Sequence, residues 1–142
     1  MTGSAGLVAL FAVLLAATAF GLYRRRTDGR VRAVTAAAAQ ERLTASDLGA
    51  DLGSRATLVQ FSSAFCQPCR ATRQVLGEVS EAVDGVSHVE IDAEDHLELV
   101  RRLDIMRTPT VLVLDAHGRV VQRATGQPRK ADVIAALGHA VP

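Results

Sequence analysis

Tryptophan is absent from the 142 residues and aromatic side chains make up only 4% of them, so any core must be built from Val, Leu, Ile and Ala. Base stacking on aromatic side chains, which single-stranded nucleic acid needs, has almost no platform here. Net charge is +1, and no basic stripe runs through the body of the chain, which also argues against nucleic-acid binding. Cysteine is nearly missing too: Cys66 and Cys69 are the only two. A disulfide framework is thereby excluded. A structural zinc site would need a second pair of ligands, and the four histidines, His88, His96, His117 and His139, stand singly. No internal repeat occurs, and the only biased tract is Ala36-Ala37-Ala38-Ala39.

Charge is scarce in one place above all. Residues 5–23 form a nineteen-residue run without a charge, which as a helix covers about 28 Å, close to a hydrocarbon core of ~30 Å. Arg24, Arg25 and Arg26 follow at once, with Arg30 and Arg32 behind them. The front of the chain up to residue 40 carries a formal +4 and the remainder −3. This pattern predicts an N-terminal transmembrane anchor over residues 1–26, membrane contact through residues 5–23, and a domain held on the cytoplasmic side by the positive-inside rule. An extracytoplasmic domain is the alternative orientation. A cleaved signal peptide is the rival reading, since Ala17-Thr18-Ala19 resembles a cleavage site, but a basic leading region is missing. Residues 27–40 read as a linker, with Asp28-Gly29 as a break, and residues 41–142 as the folded domain.

What is present centres on Phe65-Cys66-Gln67-Pro68-Cys69. Two thiols three residues apart lie one helical turn apart and can open and close a disulfide. An apolar run, Thr57-Leu58-Val59-Gln60-Phe61, precedes them, and Thr72, Val75, Leu76, Val79 and Val83 follow at helical spacing. Strand, short loop and helix are expected in that order. Cys66 then falls at a helix N-terminus, where free N–H groups favour a thiolate, and becomes the candidate nucleophile. Cys69, one turn in, is the candidate resolving thiol.

The rest of the domain follows from pattern. A short strand near Glu41-Arg42-Leu43 leads to a helix from Ser46, as N-cap, to Leu52. Residues 86–92 alternate as a strand. Residues 95–103 place Leu97, Val100 and Leu103 on one helical face. Thr110-Val111-Leu112-Val113-Leu114 is a strand joined by the turn Asp115-Ala116-His117-Gly118 to a second over residues 119–124. A last helix, residues 129–139, is expected to bury Val133, Ile134 and Leu137. The order β-α-β-α-β-α-β-β-α predicts an α/β fold with a mixed sheet flanked by helices.

Residues 41–142 resemble the thioredoxin-like family, with Phe65-Cys66-Gln67-Pro68-Cys69 in place of its Trp-Cys-Gly-Pro-Cys. The likeness extends to Arg70, the Ile91-Asp92 strand end, Arg107-Thr108-Pro109-Thr110 and Gly126. It implies a thioredoxin-like fold and a thiol–disulfide oxidoreductase that reduces protein disulfides through a Cys66/Cys69 dithiol–disulfide cycle. It also implies a cis Pro109 and a substrate-binding surface made by Phe65, Gln67, Pro68, Thr108 and Pro109. Its partners would be disulfide-containing proteins and a thiol reductant or reductase that resets the pair, with no organic cofactor and no metal.

The sequence departs from the family at Gln60, where a buried Asp is usual, and at His88, near the place of that Asp's customary Lys partner. An amide takes no proton near neutral pH, so Gln60 and His88 form either a neutral polar pair or a relay carried by His88. The dipeptide between the cysteines influences redox poise, which runs from about −270 mV in reductants to about −120 mV in oxidants. Pro68 is shared with the reducing members. Two further readings stay open: a redox-inert peptide-docking module, and a copper-handling protein using the cysteine pair.

Overall fold

The computed structural model describes residues 2–35 and 38–141. Its first helix, α1 (Thr2–Thr27), contains the uncharged run, and the candidate span Ala5–Thr27 holds an 18-residue window with a mean hydropathy of 2.3, none of it buried. The helix is long and apolar enough to cross a membrane. Its large side chains, Leu7, Phe11, Leu15 and Phe20 among them, all face outward.

The sheet has five strands in the order β1-β5-β4-β2-β3: β1 (Val31–Ala33), β2 (Ala56–Ser62), β3 (Val86–Asp92), β4 (Thr110–Asp115) and β5 (Val120–Thr125). Only β2 and β3 pair in parallel; β4 runs antiparallel to β2 and β5, and β1 antiparallel to β5. Strand β2, an interior strand between β4 and β3, is buried at all seven positions because helices cover both faces. On one face lie α3 (Gln67–Ala82) and α5 (Lys130–Ala140), over a core of Leu58, Leu76, Val79, Val111, Val113 and Val133. The opposite face packs Leu43, Val59, Phe61, Ile91, Leu103 and Leu112, beneath α2 (Ala45–Leu48) and α4 (Leu97–Arg102). The period-two alternation of each strand thus feeds two cores, one wholly aliphatic and the other aliphatic around the single aromatic ring of Phe61.

Several expectations change. The segment read as a linker supplies the first strand: Val31, Arg32 and Ala33 pair with Ala124, Arg123 and Gln122. Ala36 and Ala37 lie outside the described residues, and Ala38–Gln40 is a single 3-10 turn. Glu41-Arg42-Leu43 makes a single bridge, Arg42 to Arg119, with the Leu43 N–H donating to the Gly118 carbonyl at 2.8 Å and the Val120 N–H to the Glu41 carbonyl at 3.1 Å, and Leu43 is fully buried. Thr44, not Ser46, caps α2: its hydroxyl accepts the Asp47 N–H, and the Asp47 carboxylate accepts the Thr44 N–H at 2.8 Å. Leu97 is 54% exposed, and Leu99 with Leu103 faces the core instead. In α5, Ile134 is 49% exposed, and Ala136 and Ala140 join Val133 and Leu137 in the contact.

Candidate active site

Strand β2 ends at Ser62, and the chain turns through Ser63 and Ala64 before α3 begins at Gln67. Proline at the second helical position suits this start, because its missing N–H has no intrahelical acceptor there. Cys66 is the N-cap residue, with φ −93° and ψ 99°, and its Sγ accepts the Cys69 N–H at 3.2 Å. A sulfur therefore fills the place usually taken by a serine or aspartate oxygen. Cys66 and Cys69 are joined as a disulfide with their Cα atoms 5.2 Å apart. Cys66 is half-buried, whereas Cys69 is 2% exposed. Attack from outside can reach only the first of the two.

Beneath the helix, Gln60 is fully buried. Its Nε2 donates to the Cys69 carbonyl at 2.8 Å, and its Oε1 lies 3.3 Å from His88 Nε2. The parallel register that sets Gln60 beside Glu90 and Leu58 beside His88 brings this pair together. With the amide so arranged, His88 Nε2 must carry the proton and donate it to Gln60 Oε1. Burial pushes the His88 imidazole below its usual pKa; the Glu90 charge opposes that shift and Arg73 reinforces it. Neutral His88 and neutral Gln60 are thus consistent with each other. Glu90, on the same face, receives Arg73 at 2.6 and 2.7 Å and the Ser62 hydroxyl at 2.6 Å. The Arg73 hydrogen bond is the main reason its carboxyl lies below the usual range.

The second wall is the loop before β4. Its Thr108–Pro109 peptide is cis, as the resemblance implied, and Pro109 is buried. The Thr108 hydroxyl lies 3.1 Å from that of Ser63, which ties this loop to the one leading into Cys66. Thr110 Oγ1 donates to the Arg107 carbonyl at 2.7 Å, and the Gly126 N–H donates to the Pro109 carbonyl at 2.8 Å. Among the described residues no hydrogen bond uses the Thr108 N–H or carbonyl, so both can pair with an incoming extended chain. Two large apolar side chains stand out from this end of the domain: Phe65 is fully exposed and Met106 is 81% exposed. Gln67 and Pro68 are exposed beside Cys66.

Ser63, Met106, Arg73 and Glu90 were not singled out from the sequence. Ser63 and Met106 belong to runs without periodicity, and only the fold brings the hydroxyls of Ser63 and Thr108 together. The Arg73–Glu90 pair joins a helix to a strand seventeen residues away, a separation that carries no local signal. Among the described residues, no group of three or more Cys, His, Asp or Glu side chains converges to hold a metal ion.

A buried and an accessible cysteine at the start of a helix, facing a cis-proline loop on a mixed sheet, define a dithiol–disulfide exchange domain. The thioredoxin family model matches residues 39–139, and the chain belongs to the thioredoxin family. It is 36% identical over 80 residues to a thioredoxin of Alicyclobacillus acidocaldarius, covering 55% of this chain and 75% of that protein. A thioredoxin of Mycobacterium tuberculosis is 29% identical over 90 residues, covering 63% and 77% of the two chains. The crystal structure of reduced Schistosoma mansoni thioredoxin pre-protein superposes with a TM-score of 0.55 at 22% identity, over 63% of this chain and 82% of that one, a likeness of fold. Family membership and the Cys66–Cys69 pair make the protein a thiol–disulfide oxidoreductase acting on protein disulfides.

Proposed function

We propose that the protein works as a reductase, with Cys66 as nucleophile and Cys69 as resolving thiol. In the dithiol form, Cys66 thiolate attacks one sulfur of a substrate disulfide, and the other substrate sulfur leaves as a thiolate that takes up a proton. Cys69, once deprotonated, attacks Cys66 Sγ and releases the second substrate thiol. The substrate disulfide gains two electrons and two protons, and Cys66–Cys69 becomes the disulfide seen here. A thiol reductant or reductase must then return the pair to the dithiol.

The observation that carries this assignment is Cys66 Sγ at the N-cap of α3, accepting the Cys69 N–H, with Cys69 buried behind it. The first N–H groups of a helix stabilise negative charge on that sulfur alone. Thr108, with free backbone groups, supports a strand-like seat for substrate, and Phe65, Gln67, Pro68 and Pro109 line the approach. The equilibrium potential of Cys66–Cys69 against glutathione tests the direction: a value near about −270 mV supports reduction, and one near about −120 mV overturns it.

The Gln60–His88 contact supports a neutral pair that fixes the Cys69 carbonyl, in preference to a relay. The pH–rate profile of disulfide reduction by His88→Ala decides between them. An unchanged profile excludes the relay, and loss of the limb on the acid side overturns the neutral-pair reading.

The uncharged helix and its flanking arginines support a single-pass anchor with the domain on the cytoplasmic face. There the thiol pool would keep the pair reduced; on the outer face an electron donor across the membrane would be needed. A reporter fused after residue 142 reads the side directly, and an outward-facing signal overturns the cytoplasmic assignment.

A further inference from the structure

The join between α1 and the sheet is short and fastened on both sides. The Asp28 N–H donates to the Arg24 carbonyl at 2.9 Å, ending the helix, and the next N–H, of Gly29, donates to the Thr125 carbonyl at 2.8 Å. The Asp28 carboxylate pairs with Arg107 and lies against Gly126, where an added Cβ would come within 2.5 Å of it. Gly29 has φ +71°, and a Cβ there would fall 1.8 Å from the Gln127 carbonyl oxygen. The chain is thus pressed onto the 126–128 backbone with no room for a side chain. Strand β1 starts two residues later.

Register shows which end of the sheet receives this join. Val31 pairs with Ala124, Ala124 with Val111, and Val111 with Gln60, so these residues form one row across four strands. Residues before 31, after 124, before 110 and after 61 all project from the same end. That end carries Asp28, Gly126, Pro109 and Cys66. The step from β1 to β2 crosses three strand spacings, about 14 Å. Along the other direction, Tyr23 to Asp28 is five residues, about 8 Å if helical.

We propose that the substrates are disulfides held close to a membrane surface, because the last turn of α1 fixes the Cys66 end of the domain toward the bilayer from which α1 emerges. The inference rests on the reductase and anchor readings above and holds for either side of the membrane. A cavity of about 880 Å³ opens at the same join, lined by Arg24, Arg30 and Arg32 and also by Asp28, Glu41 and Asp104. Arg107 lines it too but is already paired with Asp28, so it is the guanidinium groups of Arg24, Arg30 and Arg32 that suit lipid phosphates at the headgroup level, which would hold the domain down further. A folded soluble protein meets the bilayer before it can present a disulfide to Cys66. A disulfide on a segment leaving the membrane meets Phe65, Met106 and the Thr108 backbone first. Its local concentration is also raised because enzyme and substrate share one surface.

The test uses the full chain in proteoliposomes with two single-span peptides that carry the same disulfide. In one the disulfide lies within about five residues of the apolar segment; in the other a helical spacer of about 20 residues lifts it about 30 Å away. Wild-type protein is expected to reduce the near disulfide about tenfold faster or more. A ten-residue Gly/Ser insertion between Thr27 and Asp28, which keeps the Asp28–Arg107 pair but frees the domain from α1, should bring the two rates within about twofold. Asp28→Ala should narrow the difference in the same direction. Equal rates in wild type, or an unchanged preference in the insertion variant, overturns the proposal. Exchange with a small aromatic nitrobenzoate disulfide should be the same for all three proteins. Its loss in wild type would overturn the dithiol reading itself, and failure of wild type to float with the vesicles would overturn the anchor.

Discussion

Replacing Gln60 by leucine removes the amide that ties strand β2 to the helix bearing both cysteines. Gln60 is fully buried and makes two contacts, to the Cys69 carbonyl at 2.8 Å and to His88 Nε2 at 3.3 Å. The first is worth about 1 kcal/mol net, and the second, longer and to a half-buried ring, about 0.5 kcal/mol. Leaving the His88 N–H opposite a methyl group adds roughly 1 kcal/mol, while burying leucine in place of an amide recovers about as much. A net loss of about 1–2 kcal/mol is expected. For a domain of this size a urea slope of roughly 2 kcal/mol/M turns that into a midpoint lower by about 0.5–1 M, with the slope unchanged. Equilibrium unfolding of the oxidised protein measures it. The carbonyl under Cys69 also loses its tether, so release of the mixed disulfide should slow in the same variant. A Gln60→Leu protein with the wild-type midpoint and wild-type turnover would refute the idea that this amide holds the resolving cysteine in place.

Cys69→Ser should abolish turnover and accumulate a covalent adduct between Cys66 and substrate on a non-reducing gel, whereas Cys66→Ser should give neither adduct nor turnover. Gly29→Ala should cost about 2 kcal/mol or more, since its Cβ would meet the Gln127 carbonyl oxygen at 1.8 Å; a midpoint equal to wild type would show that β1 is not docked as described. Asp47, held at a pKa of about 2 against an ordinary 3.8, chiefly by the Thr44 N–H and by Arg102, stabilises the folded state above pH ~4. That contribution fades as pH falls from there through 2. Its full value would be about 2 kcal/mol, which solvent screening at the surface cuts to about 1 kcal/mol or less. Asp47→Asn should therefore lower stability at pH 7, with the difference shrinking from pH ~4 downward and disappearing only below pH 2, as pH-dependent unfolding would show. Titration of the reduced protein with copper(I) should reveal no one-equivalent site that Cys66→Ser abolishes, and stoichiometric binding lost with that substitution would revive the copper-handling reading.

Strong periodicity made most of the fold legible in the sequence. The strands at residues 57–61 and 110–114 and the helix after Pro68 have apolar patterns long enough to settle both type and face. Val31-Arg32-Ala33 is only three residues long and two-thirds exposed, so no alternation could mark it; its place is set by pairing with β5. The sequence pattern places Leu97 and Ile134 on buried faces because bulky apolar side chains weigh most in it. A six-residue helix such as α4 allows more than one face, and in α5 the contact is made by alanines that signal weakly. At the site, the cysteine pair was visible from spacing, and the cis Thr108–Pro109 bond only from family resemblance. The partnership of Gln60 with His88 depends on strand register across a separation of 28 residues. Resemblance could suggest it; only the fold could display the contact.

Cys66 Sγ, the sulfur proposed to react, is also the group that closes the N-terminal end of α3. Each change in its charge or bonding, from thiolate to mixed disulfide to bridge, alters the acceptor available to the Cys69 amide. Protection of that amide against hydrogen exchange therefore becomes a running record of the oxidation state, written in the backbone of the helix rather than in the sulfurs themselves.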